Sequence, residues 1–219
     1  GSSKRLSFMP VISSGASSAV AGRDCSMVLK QDGSLWVTGR NTHGQLGLGS
    51  AKSNIGTFVQ VAFKNAKTIS AGNYHSMVLK SDGSVWATGR NTYGQLGDGS
   101  KISRSIFVEV VSSGVQAISA GRDHSMVLKV DGSVWVTGRN MDGQLGVAST
   151  MDRINFVQAI STGALSIAAG GAHSMIMTSG SGYDVFGTGG NMWGQLGDGS
   201  TISKSGFTVV ASAGAWYRP

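Results

Sequence analysis

Self-similarity is the feature that most limits what this chain can fold into. Gly-Gln-Leu-Gly begins at Gly44, Gly94, Gly143 and Gly194, at intervals of 50, 49 and 51 residues. Ala-Gly-x-x-(His/Cys)-Ser-Met recurs with its variable slot at Cys25, His75, His124 and His173, at intervals of 50, 49 and 49. An aromatic marker follows at Trp36, Trp86, Trp135 and Phe186. Three markers in one phase define four units of about fifty residues, a period typical of solenoids, arrays and propellers.

Each unit carries short apolar runs. Around the third unit these are Phe107–Val111, Ala117–Ala120, Ser125–Lys129 and Val134–Thr137. Runs of four or five residues rich in Val, Ile, Trp and Phe suit strands and are too short for helices. Asp32-Gly33, Asp82-Gly83 and Asp131-Gly132 join the second and third runs, where Asp-Gly supplies the positive φ of a tight hairpin. The fourth unit has the longer Ser179-Gly180-Ser181-Gly182 instead. Asn41, Asn91, Asn140 and Asn191 mark the next turn. Four strands per unit predict an all-β propeller with one four-stranded blade per unit. Helical solenoids would show a 3.6-residue period, and a β-helix would repeat over a much shorter distance.

The phase divides the chain into a tag or terminus at 1–7, a surplus outer strand at 8–16, and blades at 17–65, 66–114, 115–163 and 164–215. A tail follows at 216–219. The surplus strand emerges from counting. Runs of the outer-strand type occur at Phe8–Ile12, Phe58–Ala62, Phe107–Val111, Phe156–Ile160 and Phe207–Ala211, one more than the other strand types. Pro10 suits an edge position in the first. In a closed four-bladed ring two such runs would compete for the last blade. The count therefore favours a partial or assembling propeller, with self-association through the Phe8–Ile12 strand.

Composition removes several classes. Charged residues are 13% and hydrophobic residues 40%, the reverse of a disordered chain. No run approaches the apolar length of a membrane-spanning helix. The single Cys25 excludes an internal disulfide. A net charge of +7 permits an acidic partner, protein or nucleic acid, although Lys4-Arg5 is the only adjacent basic pair.

In order, Ala-Gly-x-x-His-Ser, Asp-Gly-Ser-Val-Trp, Thr-Gly-Arg-Asn and Gly-Gln-Leu-Gly span residues 8–215 and resemble the repeat of the regulator of chromosome condensation family. The resemblance implies a ring that usually has seven blades, which at this period needs about 350 residues. It also implies a structural role for the repeated histidines and a nuclear or cytoplasmic location, with a secretory one left open. The family's namesake implies guanine-nucleotide exchange on a small GTPase with chromatin binding. Here the units leave no room for the namesake's protruding β-wedge, and its basic tail is reduced to Lys4 and Arg5.

On a closed four-bladed ring Cys25, His75, His124 and His173 would form a symmetric set of zinc ligands. Structural zinc sites usually show close ligand pairs, which this set lacks. Each histidine is instead expected to be buried between blades, hydrogen-bonded to backbone groups, with no metal or cofactor. Gln45, Gln95, Gln144 and Gln195 are expected to satisfy turn backbone groups, with Leu46 and its equivalents plugging the blade interfaces. The serine after each slot residue faces the opposite side of its strand, so the two cannot form a dyad. One glutamate, Glu109, and aspartates mostly in turns suggest no catalytic set, and a non-catalytic protein is predicted.

The candidate partner-binding residues are of two kinds, those that vary while the frame does not and a basic residue that recurs at equivalent points and could form an arc of positive charge. Arg23, Asp24, Asn73, Tyr74, Arg122 and Asp123 follow the Ala-Gly pair. Arg40, Arg90 and Arg139 recur once per unit, with Gly190 in the fourth. His43, Tyr93, Asp142 and Trp193 precede Gly-Gln-Leu-Gly. A rigid frame with loops that differ between copies suits binding, and Tyr, Trp and Arg dominate interface hot spots. The predicted function is a protein–protein interaction or scaffold module. The alternatives are the exchange factor and a structural subunit that assembles head to tail into rings or filaments.

Overall fold

The computed structural model describes residues 11–12, 14–51, 54–179 and 183–211, and every helix or strand among them is a strand. The first sheet contains β1 (Ala16–Ala21), β2 (Cys25–Lys30), β3 (Leu35–Gly39) and β4 (Ile55–Val61). The second contains β5 (Ala66–Ala71), β6 (His75–Lys80), β7 (Val85–Gly89) and β8 (Arg104–Val111). The third contains β9 (Val115–Ala120), β10 (His124–Lys129), β11 (Val134–Gly138) and β12 (Arg153–Ile160). The fourth contains β13 (Ala164–Ala169), β14 (His173–Thr178), β15 (Val185–Gly189) and β16 (Lys204–Ala211). Each sheet is an antiparallel meander in chain order, the architecture of a propeller blade.

The outer strands β4, β8, β12 and β16 run to seven or eight residues, longer than their apolar runs. They extend before the Phe because the backbone still pairs with the Thr-Gly end of the third strand, as in Gly89↔Arg104. Phe107–Val111 lies in β8 and pairs with β7, so it completes the second blade; β12 completes the third. The expected strand at Phe8–Ile12 has Phe8–Pro10 outside the described residues, while Val11 and Ile12 lie in a bend. Gly180–Gly182 of the fourth hairpin also lie outside the described residues.

Side chains alternate across each blade, which decides how blades stack. In the second blade Met77, Leu79, Val85 and Ala87 point forward and pack with Val115, Ile118 and Val127 of the third. Ile69 and Val78 point back and pack with Met27, Leu35 and Val37 of the first. The third and fourth blades meet through Met126, Leu128, Val134, Val136, Ala164 and Ile176. Leu46, Leu96 and Leu145 each plug one of these three cores. Full burial of such a side chain contributes about 1.5–3 kcal/mol, so β6 and β10, with a blade on either side, read as nearly continuous apolar strands because both faces are covered.

Packing joins β2 to β5, β6 to β9 and β10 to β13, with the inner strands in contact along the same path. Each of the three apolar cores lies between consecutive blades. The four blades therefore form an open arc, a partial propeller that does not close on itself.

Candidate protein-binding face

The loops that carry the candidate residues are built over a buried polar frame. Gln45, Gln95, Gln144 and Gln195 each place Oε1 where it accepts a backbone N–H two residues earlier, from His43, Tyr93, Asp142 and Trp193, at 3.0 Å. Asn41, Asn91, Asn140 and Asn191 are buried and accept the N–H of the motif leucine at 2.9–3.0 Å. Their amides donate back across the loop, Asn41 to the Ser50 carbonyl and Asn140 to that of Ser149. The asparagines thus do more than mark a turn: each closes a ten-residue loop with both ends of one amide.

The histidines differ from expectation in two respects: His173, with no further described blade in front of it, is only half-buried, and the partners of the other two are not backbone groups. His75 and His124 are fully buried, but their partners are side-chain hydroxyls of the next blade, not backbone groups. His75 Nε2 lies 2.9 Å from Ser125 Oγ, and His124 Nε2 lies 2.9 Å from Ser174 Oγ. Those hydroxyls donate to the carbonyls of Gln95 and Gln144 at 2.6 and 2.7 Å. The serine proton is thereby committed, so the imidazole must donate through Nε2–H. The serine next in sequence faces the other way, and the cross-blade pair follows from that alternation. Since the ring is already a donor, it offers the hydroxyl no free base. Burial pushes the His75 imidazole down to about 4 and that of His124 down to about 3. The Ala-Gly pair has a steric reason as well: a Cβ on Gly121 would lie 2.3 Å from the His124 ring and 2.6 Å from the Gly170 carbonyl.

Cys25 takes the same slot between the first and second blades. Burial, with Asp24 adding repulsion, pushes its thiol up to about 11. Among the described residues no group of three His, Cys, Asp or Glu side chains is placed to hold a metal ion.

Above this frame the variable residues meet in a stacked array. Arg23, Arg40 and Arg90 lie over the Tyr74 ring at 5.4, 5.4 and 5.8 Å, and His43 packs edge-on against it at 5.0 Å. Arg90 also lies 5.3 Å from the Tyr93 ring, which Arg139 approaches at 5.4 Å. The result is a ladder running Arg40, Tyr74, Arg90, Tyr93, Arg139 across three blades. Asp123 sits beneath it, 4% exposed, with Arg122 at 3.4 Å, Arg90 at 3.8 Å and Arg139 at 3.9 Å. Asp24 makes the corresponding but exposed contacts with Arg40 at 3.4 Å and Arg23 at 4.0 Å. Arg23, Asn73 and Arg122 also rim a depression of about 180 Å³ where the four Ala-Gly pairs converge. Burial, with Arg90 and Arg40 adding repulsion, holds the His43 imidazole below its usual range.

The array ends at the fourth blade, where Gly171, Ala172 and Gly190 replace its Arg, Asp and Tyr residues. Trp193 stands alone there at 84% exposure, beside Met192 at 70%. Asp142 lies in the loop between, its backbone held by Gln144. The sequence carried no signal that three arginines would share one aspartate. The spacing of Asp123 between Arg122 and the Arg139 of its own blade was visible, but Arg90 arrives from the blade before.

Two models of the regulator of chromosome condensation (RCC1) repeat match this chain, one over residues 16–45, 66–95 and 115–144 and one over 32–79, 82–128 and 131–177. No curated protein sequence matches it. Among solved structures it is similar to human WBSCR16, with a TM-score of 0.79 and 21% identity over 90% of this chain and 53% of that one. It is also similar to yeast RCC1 (Prp20) in complex with Kap60, with a TM-score of 0.83 and 18% identity over 94% of this chain and 51% of that one. A second structure of Prp20p, from Saccharomyces cerevisiae, gives a TM-score of 0.77 and 18% identity over 96% and 53%. The chain spans about half the length of each protein, and at these identities the likeness shows the fold alone. Repeated hydrogen-bond frame, blade topology and matched residues coincide, and the chain belongs to the regulator of chromosome condensation (RCC1) repeat family.

Proposed function

We propose that this chain is a protein-interaction module whose loop face takes an acidic segment of a partner protein. The observation that carries the reading is the Arg–Tyr ladder. Five arginines gather around two aspartates there, which leaves the face positive in a chain whose net charge is already +7. Stacking on Tyr74 and Tyr93 restrains long side chains that would otherwise lose freedom on binding. Exposed Trp193 and Met192 add an apolar anchor of the kind found at hot spots. A face with fixed arginines and one bare tryptophan suits a short peptide of mixed acidic and apolar character. Structures of the yeast relative are described with Kap60 and with binding to Gsp1p and histones, so proteins of this fold do present protein-binding surfaces.

Fluorescence anisotropy with a labelled Glu-rich peptide tests this, beside an uncharged peptide of equal length and a DNA duplex. The Glu-rich peptide is expected to bind with an affinity that falls as salt rises. The double substitution Arg90→Gln and Arg139→Gln, which removes both charges but keeps a polar side chain and leaves Arg122 on Asp123, is expected to weaken it about tenfold, or about 1.4 kcal/mol. Equal binding of both peptides would remove the charge reading. Tighter binding of the duplex would turn the face into a nucleic-acid site.

A further inference from the structure

The second and third blade boundaries share one set of contacts, the first repeats it with Cys25 in the histidine slot, and the two outer faces of the arc carry its two unfilled halves. At the second boundary His75 Nε2 meets Ser125 Oγ, and Ser125 Oγ donates to the Gln95 carbonyl. Thr137 Oγ1 donates to the Gly94 carbonyl at 2.9 Å, and Gly99 N–H donates to the Ile154 carbonyl at 3.0 Å. The Phe156 ring lies so close to Gly97 that a Cβ there would come within 2.5 Å of it. The third boundary repeats all of this with His124, Ser174, Gln144, Thr188, Gly143, Ala148, Ser205, Gly146 and Phe207.

The forward face of the fourth blade presents His173, the Gln195 and Gly194 carbonyls, and Gly197 and Gly199. An added Cβ at Gly197 or Gly199 meets nothing. The backward face of the first blade presents the matching residues. Ser26 stands where Ser125 does, Thr38 where Thr137 does, Gly56 where Ile154 does, and Phe58 where Phe156 does. Thr38 makes its bond to the Ile55 carbonyl of its own blade at 2.7 Å, as Thr137 does to Arg153, and has no second, cross-blade acceptor among the described residues. Ala16 and Ala19 are exposed where Ala66 and Ile69 are buried. One internal bond has no counterpart. Ser70 and Ser119 accept from Ala120 N–H and Ala169 N–H, and the fourth blade has Ala168 there. The first boundary, with Val20 at that position, already does without it.

We propose that the fourth-blade face of one copy docks onto the first-blade face of a second copy of this chain. In that interface His173 donates to Ser26, Ser26 to the Gln195 carbonyl, Thr38 to the Gly194 carbonyl, and Phe58 covers Gly197. Two copies bring eight blades, within the four to eight of known propellers. The contact is heterologous, so it either closes into a ring or continues as an open chain. This goes beyond the peptide-binding reading and does not depend on the Arg–Tyr ladder. Association is read as mass and peptide binding as anisotropy, so one can fail without the other.

Sedimentation velocity of the full chain across a wide concentration range tests it, with two variants that each disable one face. Gly197→Asn adds a side chain whose Cβ meets nothing among the described residues, at φ +73°, a conformation asparagine tolerates. On docking it would strike Phe58. Phe58→Asp disables the opposite face. The wild type is expected to move from 22.5 kDa to twice that mass or more as concentration rises. Each variant alone is expected to associate at least tenfold more weakly, about 1.4 kcal/mol. An equimolar mixture is expected to recover a species of two chains, since each variant retains the face the other lacks. Circular dichroism melts check that both variants fold. A wild type that stays at 22.5 kDa at every concentration overturns the proposal. Association that neither variant changes also overturns it, and assigns self-contact to another surface.

Discussion

Strands β10 and β14 start with the same three residues, His-Ser-Met, yet differ in what surrounds them. His124, Met126 and Leu128 point forward into the fourth blade and are fully buried. His173 and Met175 point forward into no described blade and are half-buried, and Met177 is exposed. The backward-pointing residues of the same two strands, Ser125 and Val127 or Ser174 and Ile176, are buried alike. The repeat thus writes the same residues into every blade, while burial is conferred by the next blade. Energy follows the neighbour, not the motif.

That contrast is testable by paired substitution, with stability read from urea unfolding of each variant. Met126→Ala empties a covered site and is expected to cost about 2–5 kcal/mol. Met175→Ala on the open face is expected to cost about 1 kcal/mol or less in the dissociated chain. Equal losses would show that the fourth-blade face is covered too.

Gly97 and Gly197 sharpen the comparison because both have positive φ, +77° and +73°. Backbone strain then cancels between Gly97→Asn and Gly197→Asn. The interior substitution drives a side chain into the Phe156 ring and is expected to cost about 1–3 kcal/mol more than the outer one.

The histidines give a pH dependence whose sign is fixed by their depressed pKa values. In the unfolded chain each protonates near 6.5, whereas in the fold His75 resists to about 4 and His124 to about 3. The unfolded state binds more protons throughout that window. Stability is therefore fully present above about pH 7 and falls as pH drops towards 4, by about 1.4 kcal/mol per pH unit for each histidine. The double variant His75→Asn and His124→Asn is expected to flatten this slope. An unchanged slope would assign it to other groups.

The smallest expected effect is on the loop face. Arg40→Ala breaks a contact to an exposed aspartate and is expected to change stability by less than about 1 kcal/mol. A larger loss would make the ladder part of the scaffold and weaken its reading as a binding surface.

Much of the blade was legible in the residues, because a blade is local. The Asp-Gly hairpins, the apolar runs and the leucine plugs act within one unit or against its neighbour, and a fifty-residue period repeats them. Two features were not legible. The His–Ser pair joins residues fifty positions apart, and sequence alternation shows only that adjacent His and Ser diverge, not which serine each ring reaches. The ladder draws Arg90 to an aspartate of the following blade, a distance set by blade twist and loop rise that no motif encodes. The outer strands β8, β12 and β16 were under-measured because each begins with a charged residue, Arg104, Arg153 or Lys204, that pairing with the neighbouring Thr-Gly strand end holds extended.

Titration of the imidazole resonances by NMR bears most directly on whether blade stacking, rather than chemistry, governs the repeated residues. The Gly197→Asn chain suits it, since its fourth-blade face is left open. His75 and His124 are expected to remain neutral until about pH 4 and about pH 3, and partial burial holds His173 below its usual value. Three repeat histidines titrating together near 6.5 would contradict burial between blades.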